Sequence, residues 1–559
     1  MSRLTTSTSR RPLLAVFARR SALRTSRTDL WASVTRSLLR TVLVALLAAP
    51  LAIAWGAGHA EIDDYLGPHR VSFASNYRGE IQVDLGPVGN AYLPSPRAPL
   101  GVEITVGGVG AVDGNRPSFF SEQTLAAYAG IFAEPDEAAA GVVERLTDDV
   151  VVESLVAELV LLGLFALWVA RRQLLAPWLV RSVPLRRAAV VYLTVLATVF
   201  GSVLAPRPPV QGIRLPVSVS LGRSLSGLTV DSLLLADLLD RGVKGITLLT
   251  DRQQKALRSY VDAATRSLDA QQARLPAPRF GETMAIGFSD LHCSQAMTQL
   301  LRDLVVRTAP SVVLSSGDDT VNGTAAERFC ITREARIAGE LPFLVVTGNH
   351  DSDVTEAQMR KAGMVVLDGA TDDSAGLTVL GDDDPEHNVP FSVERTTDRP
   401  ETEEQLGQRL VDTARGKPVD VLLVHQPAAS VVIMNAPNPP ARLVLWGHYH
   451  SEDGPSVVRH DDGSWTVGMQ QGTAGGVRQP TFTSFSTPFS PPLISADTYF
   501  YFRDAATGLV TGVQPMHFLP DASVVIAPRV ETGDLANLPP ETRHELSGTT
   551  ETPSPTSQR

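Results

Sequence analysis

The sequence predicts an α/β domain preceded by a membrane region of about three transmembrane helices and a small β-rich external region. Three observations carry this reading. Between 283 and 450, short apolar runs of strand length recur, and each ends in Asp, Asn or His. Upstream, three longer apolar runs alternate with blocks of arginine. Between them, residues 67 to 112 hold short β-like runs separated by Gly and Pro turns.

The bulk numbers agree. A chain of 559 residues has room for several domains of about 150 residues each. With 43% hydrophobic and 19% charged residues it is too apolar for a disordered chain. Two cysteines exclude a disulfide framework and a Cys-rich zinc module. A net charge of −11 argues against a nucleic-acid binder built on a broad basic face, so no nucleic-acid partner is expected.

The charge is segregated. Residues 1–40, an expected cytoplasmic head, hold nine Arg and one Asp, and residues 171–187 hold five Arg and no acid. The stretch 41–170 between them carries five Arg against sixteen acids. The apolar runs Thr41–Gly58, Leu155–Ala170 and Ala188–Ala205 sit at these boundaries. Each approaches the length needed to cross a hydrocarbon core of about 30 Å. Because cytoplasmic loops collect Arg, the two basic blocks face the cytoplasm, and residues 59–150 and everything after 206 face outward. The first run also reads as a signal peptide with a small-residue cleavage site at Gly58-His59-Ala60, which leaves the rest of the topology unchanged. Glu158 falls in the first turn of the second run and is read as a boundary residue.

Within 59–150 the β-like runs are Val71–Ala74, Ile81–Leu85 and Val102–Val106, and a helical continuation over 121–150 leads into the second span. Residues 206–274 read as a helical linker, with helical periodicity over 229–275. The α/β domain is placed at 275–527. From Pro528 the composition turns to Pro, Thr, Ser and Glu, which predicts a disordered tail over 528–559.

The domain's five recurring blocks carry the chemistry. Met284–Phe288 runs into Ser289-Asp290-Leu291-His292, and Val312–Leu314 runs into Gly317-Asp318-Asp319. Phe343–Val346 leads to Gly348-Asn349-His350-Asp351, Val421–Val424 to His425, and Leu443–Trp446 to Gly447-His448-Tyr449-His450. Buried strands that all end in potential ligands place a site on one edge of a sheet. Imidazole, carboxylate and amide oxygen together suit Mn, Fe, Zn or Mg without any thiolate. In Asp290-x-His292 and His448-x-His450 both members of a pair face one site only where the strand has ended or twisted.

These blocks, in this order, resemble the signature of the calcineurin-like metallophosphoesterase superfamily, and in particular its membrane-anchored bacterial members. The resemblance covers roughly 283–515. It implies a β-sandwich flanked by helices and two divalent metal ions. Asp290, His292 and His450 would hold one ion, Asn349, His425 and His448 the other, and Asp318 would bridge them. His350 would be the acid beside the leaving group. The implied activity is hydrolysis of a phosphate mono- or diester by an extracytoplasmic, membrane-anchored enzyme. Two cations so placed can activate water and neutralise the charge growing on a phosphoryl group. The protein phosphatases of the superfamily carry an Asp-Arg pair shortly after the second block, whereas here Asp318 precedes Asp319-Thr320-Val321-Asn322. That departure disfavours a protein phosphatase and leaves Asp351 or Asn322 as candidates to orient His350. A hydrolase of lipid or cell-envelope phosphates fits the anchor. The reading from a different class is a decayed, metal-dependent sensing module.

Three weaker features complete the set. His387 lies in a polar loop and reads as solvated more readily than as a substrate contact. Asn322-Gly323-Thr324 fits a glycosylation sequon but reads better as a turn. Cys293 and Cys330 are expected to pair in an oxidising exterior.

Overall fold

The computed structural model describes residues 27–66, 69–109, 135–175, 185–204, 214–217, 227–374, 376–388, 395–397, 399–417, 419–477 and 491–538. Most of the Arg-rich head, the centre of the basic loop and residues 539–559 of the tail lie outside them.

Two compact units emerge. The first holds the helices Arg27–His59 and Leu185–Leu204 and the C-terminal part of Pro135–Leu175. Two helices are long and apolar enough to cross a membrane, through Thr41–His59 with a mean hydropathy of 1.9 and Asp136–Leu167 with 2.3. The third run forms Leu185–Leu204, whose apolar stretch is the shorter Tyr192–Gly201. Gly56 lets the first two helices touch: a Cβ there would sit 2.3 Å from Ser154 Oγ. Leu46, Leu155, Leu159 and Val190 remain exposed on these helices.

The second unit contains an N-terminal sheet of β1 (Glu61–Leu66), β2 (His69–Asn76), β3 (Glu80–Asp84), β4 (Asn90–Pro94), β5 (Gly101–Val109), β6 (Leu215–Pro216) and β7 (Thr229–Val230), in the order β1-β2-β5-β3-β4-β7-β6. Alternation explains its buried face: Ile62 and Asp64 on β1 and Val71 and Phe73 on β2 point inward. The segment read as a helical linker therefore begins differently. β6 and β7 complete this sheet before the helix Leu233–Ala270 starts at its Ser232 cap.

The rest of the unit is a layered sandwich. Its strands are β8 (Glu282–Phe288), β9 (Val312–Ser315), β10 (Phe343–Val345), β11 (Val365–Val366), β12 (Asp372–Ser374), β13 (Leu377–Gly381), β14 (Glu386–Asn388), β15 (Arg395–Thr397), β16 (Val419–Leu423), β17 (Ala441–Trp446), β18 (Asp453–Arg459), β19 (Trp465–Gln470), β20 (Ala496–Asp504), β21 (Val510–Phe518), β22 (Val524–Ile526) and β23 (Val530–Glu531). One sheet runs β11-β10-β9-β8-β20-β21-β22, with β23 on β21, and the other runs β12-β13-β16-β17-β19-β18.

Near-continuous apolar runs mark strands buried on both faces, and the packing shows why each run is needed. Val312 and Leu314 of β9 join Val421 and Leu423 of β16 and Tyr499 and Tyr501 of β20 between the sheets. The alternate residues Ile286, Phe288, Val313, Phe500 and Phe502 pack outward on the helices Leu233–Ala270 and Gln295–Thr308. On the other side Leu422, Val424 and Val444 meet Leu406 and Leu410 of the helix Glu403–Thr413.

The tail begins later than expected. β23 pairs with β21, and in the helix Thr532–Asn537 Thr532 Oγ1 donates to the Val510 carbonyl at 2.6 Å while Ala536 is buried. Composition over 528–538 is mixed, and the strand pairing, the buried Ala536 and ion pairs of Arg529 with Glu282 and Glu531 with Arg279 dock it.

Candidate metal centre

The parallel register builds the site. β8, β9, β10 run parallel in one sheet and β16, β17 in the other, so their C-terminal ends share an edge. Just past those ends the chain turns sharply. Asp290, His292, Asp318, His448 and His450 all have positive φ, between 44° and 75°. Non-glycine residues rarely adopt this region, and such residues cluster at functional sites. The turn removes the strand's two-residue alternation, so Asp290 and His292 enter one ligand group, while His450 joins that group and His448 the neighbouring one that shares Asp318.

Close approach is secured by glycine. A Cβ on Gly348 would lie 2.3 Å from Asp318 Oδ1, and one on Gly447 would lie 2.4 Å from Asp290 Oδ2. Backbone bonds then lace the loops together. The amides of Asp290 and His292 donate to the carbonyls of Gly317 and Asp318 at 2.8 and 3.0 Å. The His350 amide donates to Asp318 Oδ1 at 2.8 Å, and the His448 amide to Asp290 Oδ2 at 3.1 Å.

All seven expected ligands converge. Asp290, His292, Asp318 and His450 form one group with donor atoms within 4.8 Å of one another, and Asp318, His425 and His448 form a second. Asn349 Oδ1 lies 3.1 Å from His425 Nε2 and 2.9 Å from His448 Nδ1. Asp290, Asp318, Asn349 and His425 are at most 1% exposed.

The protonation geometry tests whether these residues fit a cation. His292 Nδ1 faces the Thr320 carbonyl at 3.0 Å, His425 Nδ1 the Ser316 carbonyl at 2.9 Å, and His450 Nδ1 the Val477 carbonyl at 3.1 Å. A carbonyl only accepts, so each Nδ1 carries a proton, and in the neutral ring each Nε2 presents a lone pair. Those lone pairs point at other acceptors. His292 Nε2 and His450 Nε2 are 3.1 Å apart, His450 Nε2 is 3.2 Å from Asp290 Oδ1, and His425 Nε2 is 3.2 Å from Asp318 Oδ2. Asp290 Oδ1 is buried without a hydrogen-bond partner. Buried acceptors facing acceptors are costly unless a cation sits among them, and imidazoles anchored on carbonyls are the usual arrangement of metal ligands. The residues fit divalent metal ions.

The electrostatics agree. Burial pushes the His292 imidazole down to about 3, which keeps it neutral. Burial also opposes a charge on His425 and His450, but Asp318 and Asp290 respectively outweigh it and raise both imidazoles. The pocket is built to attract positive charge.

His350 sits beside this centre, its ring 5.0 Å from that of His292. Its Nδ1 faces the Val321 carbonyl at 2.8 Å, and Asn388 Nδ2 lies 3.2 Å from its Nε2. The two candidate orienting residues do other work. Asp351 accepts from the amides of Thr320, Gly348 and Asp319 and from Thr320 Oγ1, which pins the second and third loops together. The Asn322 amide is tied, with those of Val321 and Thr324, to the Glu327 carboxylate, so this segment is a turn. His387 is bonded through Nδ1 to the Asp351 carbonyl at 2.7 Å.

Sequence reasoning missed Asn388, Glu327 and the acids behind the loop. Asp319 accepts from Ser315 Oγ at 2.9 Å, and Glu334 is fully buried beside it. Burial and then the Asp351 charge push the Asp319 carboxyl well above the usual range. Nothing in Gly-Asp-Asp marks the second Asp as a packed acid instead of a ligand. Cys293 and Cys330 are joined, with an S–S distance of 2.04 Å, and tie the first loop to the helix Arg328–Glu334.

Comparison with known proteins bears on this geometry. No curated protein matches the chain. Among solved structures, an archaeal phosphodiesterase is similar at 12% identity over 42% of this chain and 99% of its own, with a TM-score of 0.24. Yfce, a phosphoesterase from E. coli, is 13% identical over 44% and 99%, with 0.22. A metallophosphoesterase from Sphaerobacter thermophilus is 16% identical over 48% and 99%, with 0.21. The family model for the calcineurin-like phosphoesterases matches residues 285–452, which span every loop of the site. Over those residues the chain is a calcineurin-like phosphoesterase domain, the family its motif spacing resembles.

Proposed function

We infer phosphoester hydrolysis with divalent metals from the match of residues 285–452 to the calcineurin-like phosphoesterase family. We propose that this chain is an active hydrolase of phosphate mono- or diesters that uses two such ions. One would be held by Asp290, His292 and His450, the other by Asn349, His425 and His448, with Asp318 between them. The observation that carries the reading is the set of buried lone pairs directed at one another, with each Nδ1 but that of His448 spent on a backbone carbonyl. Bound there, Mn, Fe or Zn would supply Lewis acidity toward the phosphoryl oxygens and an activated water.

The chain's own residues supply the remainder. Asp318 holds the two ligand groups together while its Oδ1 fixes the His350 backbone. The Val321 carbonyl sets the His350 tautomer, so Nε2 is the atom that takes and delivers a proton to the leaving oxygen. Asn388 marks the leaving-group side of the site.

The protein is proposed to be membrane-anchored with this domain outside the cytoplasm. Two long apolar helices, with Leu155 and Leu159 exposed on one of them, and the Arg-rich flanks support that reading. Purified full-length chain assayed with Mn against a panel of mono- and diesters tests the activity. Turnover that Asp318→Ala abolishes supports it, and metal binding without turnover of any ester would favour the sensing module. Protease added to intact cells should remove the residues after 206, and protection until lysis would reverse the orientation.

A further inference from the structure

Away from the metal centre, the helices Leu233–Ala270 and Gln295–Thr308 and the end of Arg328–Glu334 enclose a groove of about 580 Å³. Arg258, Arg302, Arg333 and Arg336 line it, with Leu257 in one wall, and no carboxylate does. Helical spacing explains the convergence. Gln254 and Arg258 are one turn apart on the first helix, Gln295, Gln299 and Arg302 share a stripe on the second, and Arg333 and Arg336 follow three apart.

This concentration stands against a net charge of −11 for the chain and lies outside its two Arg-rich blocks. Several arginines elsewhere in the domain pair with carboxylates: Arg307 with Asp269 and Asp303, Arg399 with Asp382 and Asp383, Arg529 with Glu282. Among the described residues no carboxylate pairs with Arg258, Arg302 or Arg336. Gln295 adds an independent sign, because its Nε2 is buried in the same wall without a hydrogen-bond partner. Donors therefore outnumber acceptors along the groove, although Arg258 already donates to Gln254 Oε1 at 3.3 Å.

We propose that this groove is a second anion site, specific for a phosphate group carried either by a small soluble compound or by a phospholipid headgroup. Guanidinium forks match phosphate oxygens two at a time, and several of them converging favour a multiply charged phosphate over a single carboxylate. The volume exceeds that of one inorganic phosphate, and Leu257 gives the rest of the ligand an apolar contact. Because the groove is open to water, its affinity should fall with salt.

The test uses the full-length chain in phosphatidylcholine nanodiscs, stripped of metal by chelation to silence the catalytic centre, and titrates pyrophosphate by calorimetry. Saturable binding is expected, weakened roughly tenfold or more in Arg302→Gln/Arg336→Gln. After metal is restored, that variant should hydrolyse nitrophenyl phosphate as the parent does, which shows that it folds. Should the pair fail to fold, Arg302→Gln alone is expected to weaken binding to a smaller degree. Repeating the titration with phosphatidylglycerol in the disc separates the sources: competition assigns the groove to a lipid headgroup, and an unchanged titration assigns it to a soluble phosphate. Absence of saturable binding, or binding that the arginine substitutions leave unchanged, overturns the proposal. The binding results do not depend on whether the metal centre hydrolyses anything, and if the parent hydrolyses no ester, an unchanged melting temperature shows that the variant folds.

Discussion

Among the described residues, His and carboxylate atoms come within 4.8 Å of one another at two places, the paired groups of the metal centre and the cluster Glu452, Asp497 and His517, and the two places are built differently. At the metal centre His292, His425 and His450 spend Nδ1 on backbone carbonyls while His448 Nδ1 faces Asn349 Oδ1, and the Nε2 atoms of the first three face carboxylates and each other. In the cluster Glu452, Asp497 and His517, the imidazole faces the acids directly. His517 Nδ1 is 2.9 Å from Asp497 Oδ1 and 4.0 Å from Glu452 Oε2, and Ser495 Oγ also donates to Asp497 Oδ1 at 2.8 Å. The second cluster satisfies itself as an ion pair once His517 is protonated. The bond to Asp497 raises the His517 pKa, as Asp318 and Asp290 raise those of His425 and His450, whereas burial holds His292 neutral at about 3. Composition and proximity alone do not identify a ligand set; the partner of the other ring nitrogen does.

Substitutions should separate the two clusters, and the largest effect is expected at Asp318. Asp318→Ala removes an atom shared by both ligand groups, so bound metal and activity on all esters should be lost. The fall should exceed the about 10²- to 10⁴-fold that loss of a general acid produces. Metal analysis alongside kcat/KM reads both. His350→Ala comes next: metal content should be retained, with a loss of about 10²- to 10⁴-fold on alkyl phosphates and far less on nitrophenyl esters, whose leaving groups need no proton. Equal losses on both ester classes would point to phosphate positioning instead.

A third, structural effect concerns the disulfide. Cys293→Ser/Cys330→Ser opens a loop spanning a sequence separation of 37 residues, and the chain-entropy model assigns that closure about 4 kcal/mol. Denaturant titration should show a loss of that order. Because Cys293 adjoins His292, metal affinity should fall too. No change in either would mean that packing of Phe329 against this pair holds the loop unaided.

The smallest effect belongs to His517→Gln. The folded pKa of His517 lies above its unfolded value, so its contribution to stability is complete below about pH 6.5. It fades as pH rises through the raised folded pKa. Melting temperature against pH should therefore flatten in this variant, with metal binding untouched. A drop in metal binding would place the cluster among the ligands.

The comparison also explains what was legible in the sequence. The five blocks stood out because each ligand follows an apolar run, and the runs must be continuous where a strand is buried on both faces, as Val312–Leu314 and Val421–Leu423 are. The left-handed turns at Asp290 and His448 carry no compositional mark, since glycine is the residue that announces that conformation and here aspartate and histidine adopt it. Orientation of His350 by the Val321 carbonyl was hidden because any residue at 321 offers the same atom. Asn388 reaches His350 through tertiary contact across 38 positions, beyond any local pattern. β6 and β7 are hidden within the linker for a similar reason: a two-residue strand is defined by its partner, which for β7 is the sequence-distant β4 and for β6 is β7.

The most direct test of the central claim is equilibrium dialysis of the full-length chain against Mn, in parent, Asp318→Ala and Asp497→Asn forms. The account predicts about two tightly held ions per chain, lost in Asp318→Ala and retained in Asp497→Asn. A parent that binds no ion, or binding that survives Asp318→Ala and disappears with Asp497→Asn, would contradict it.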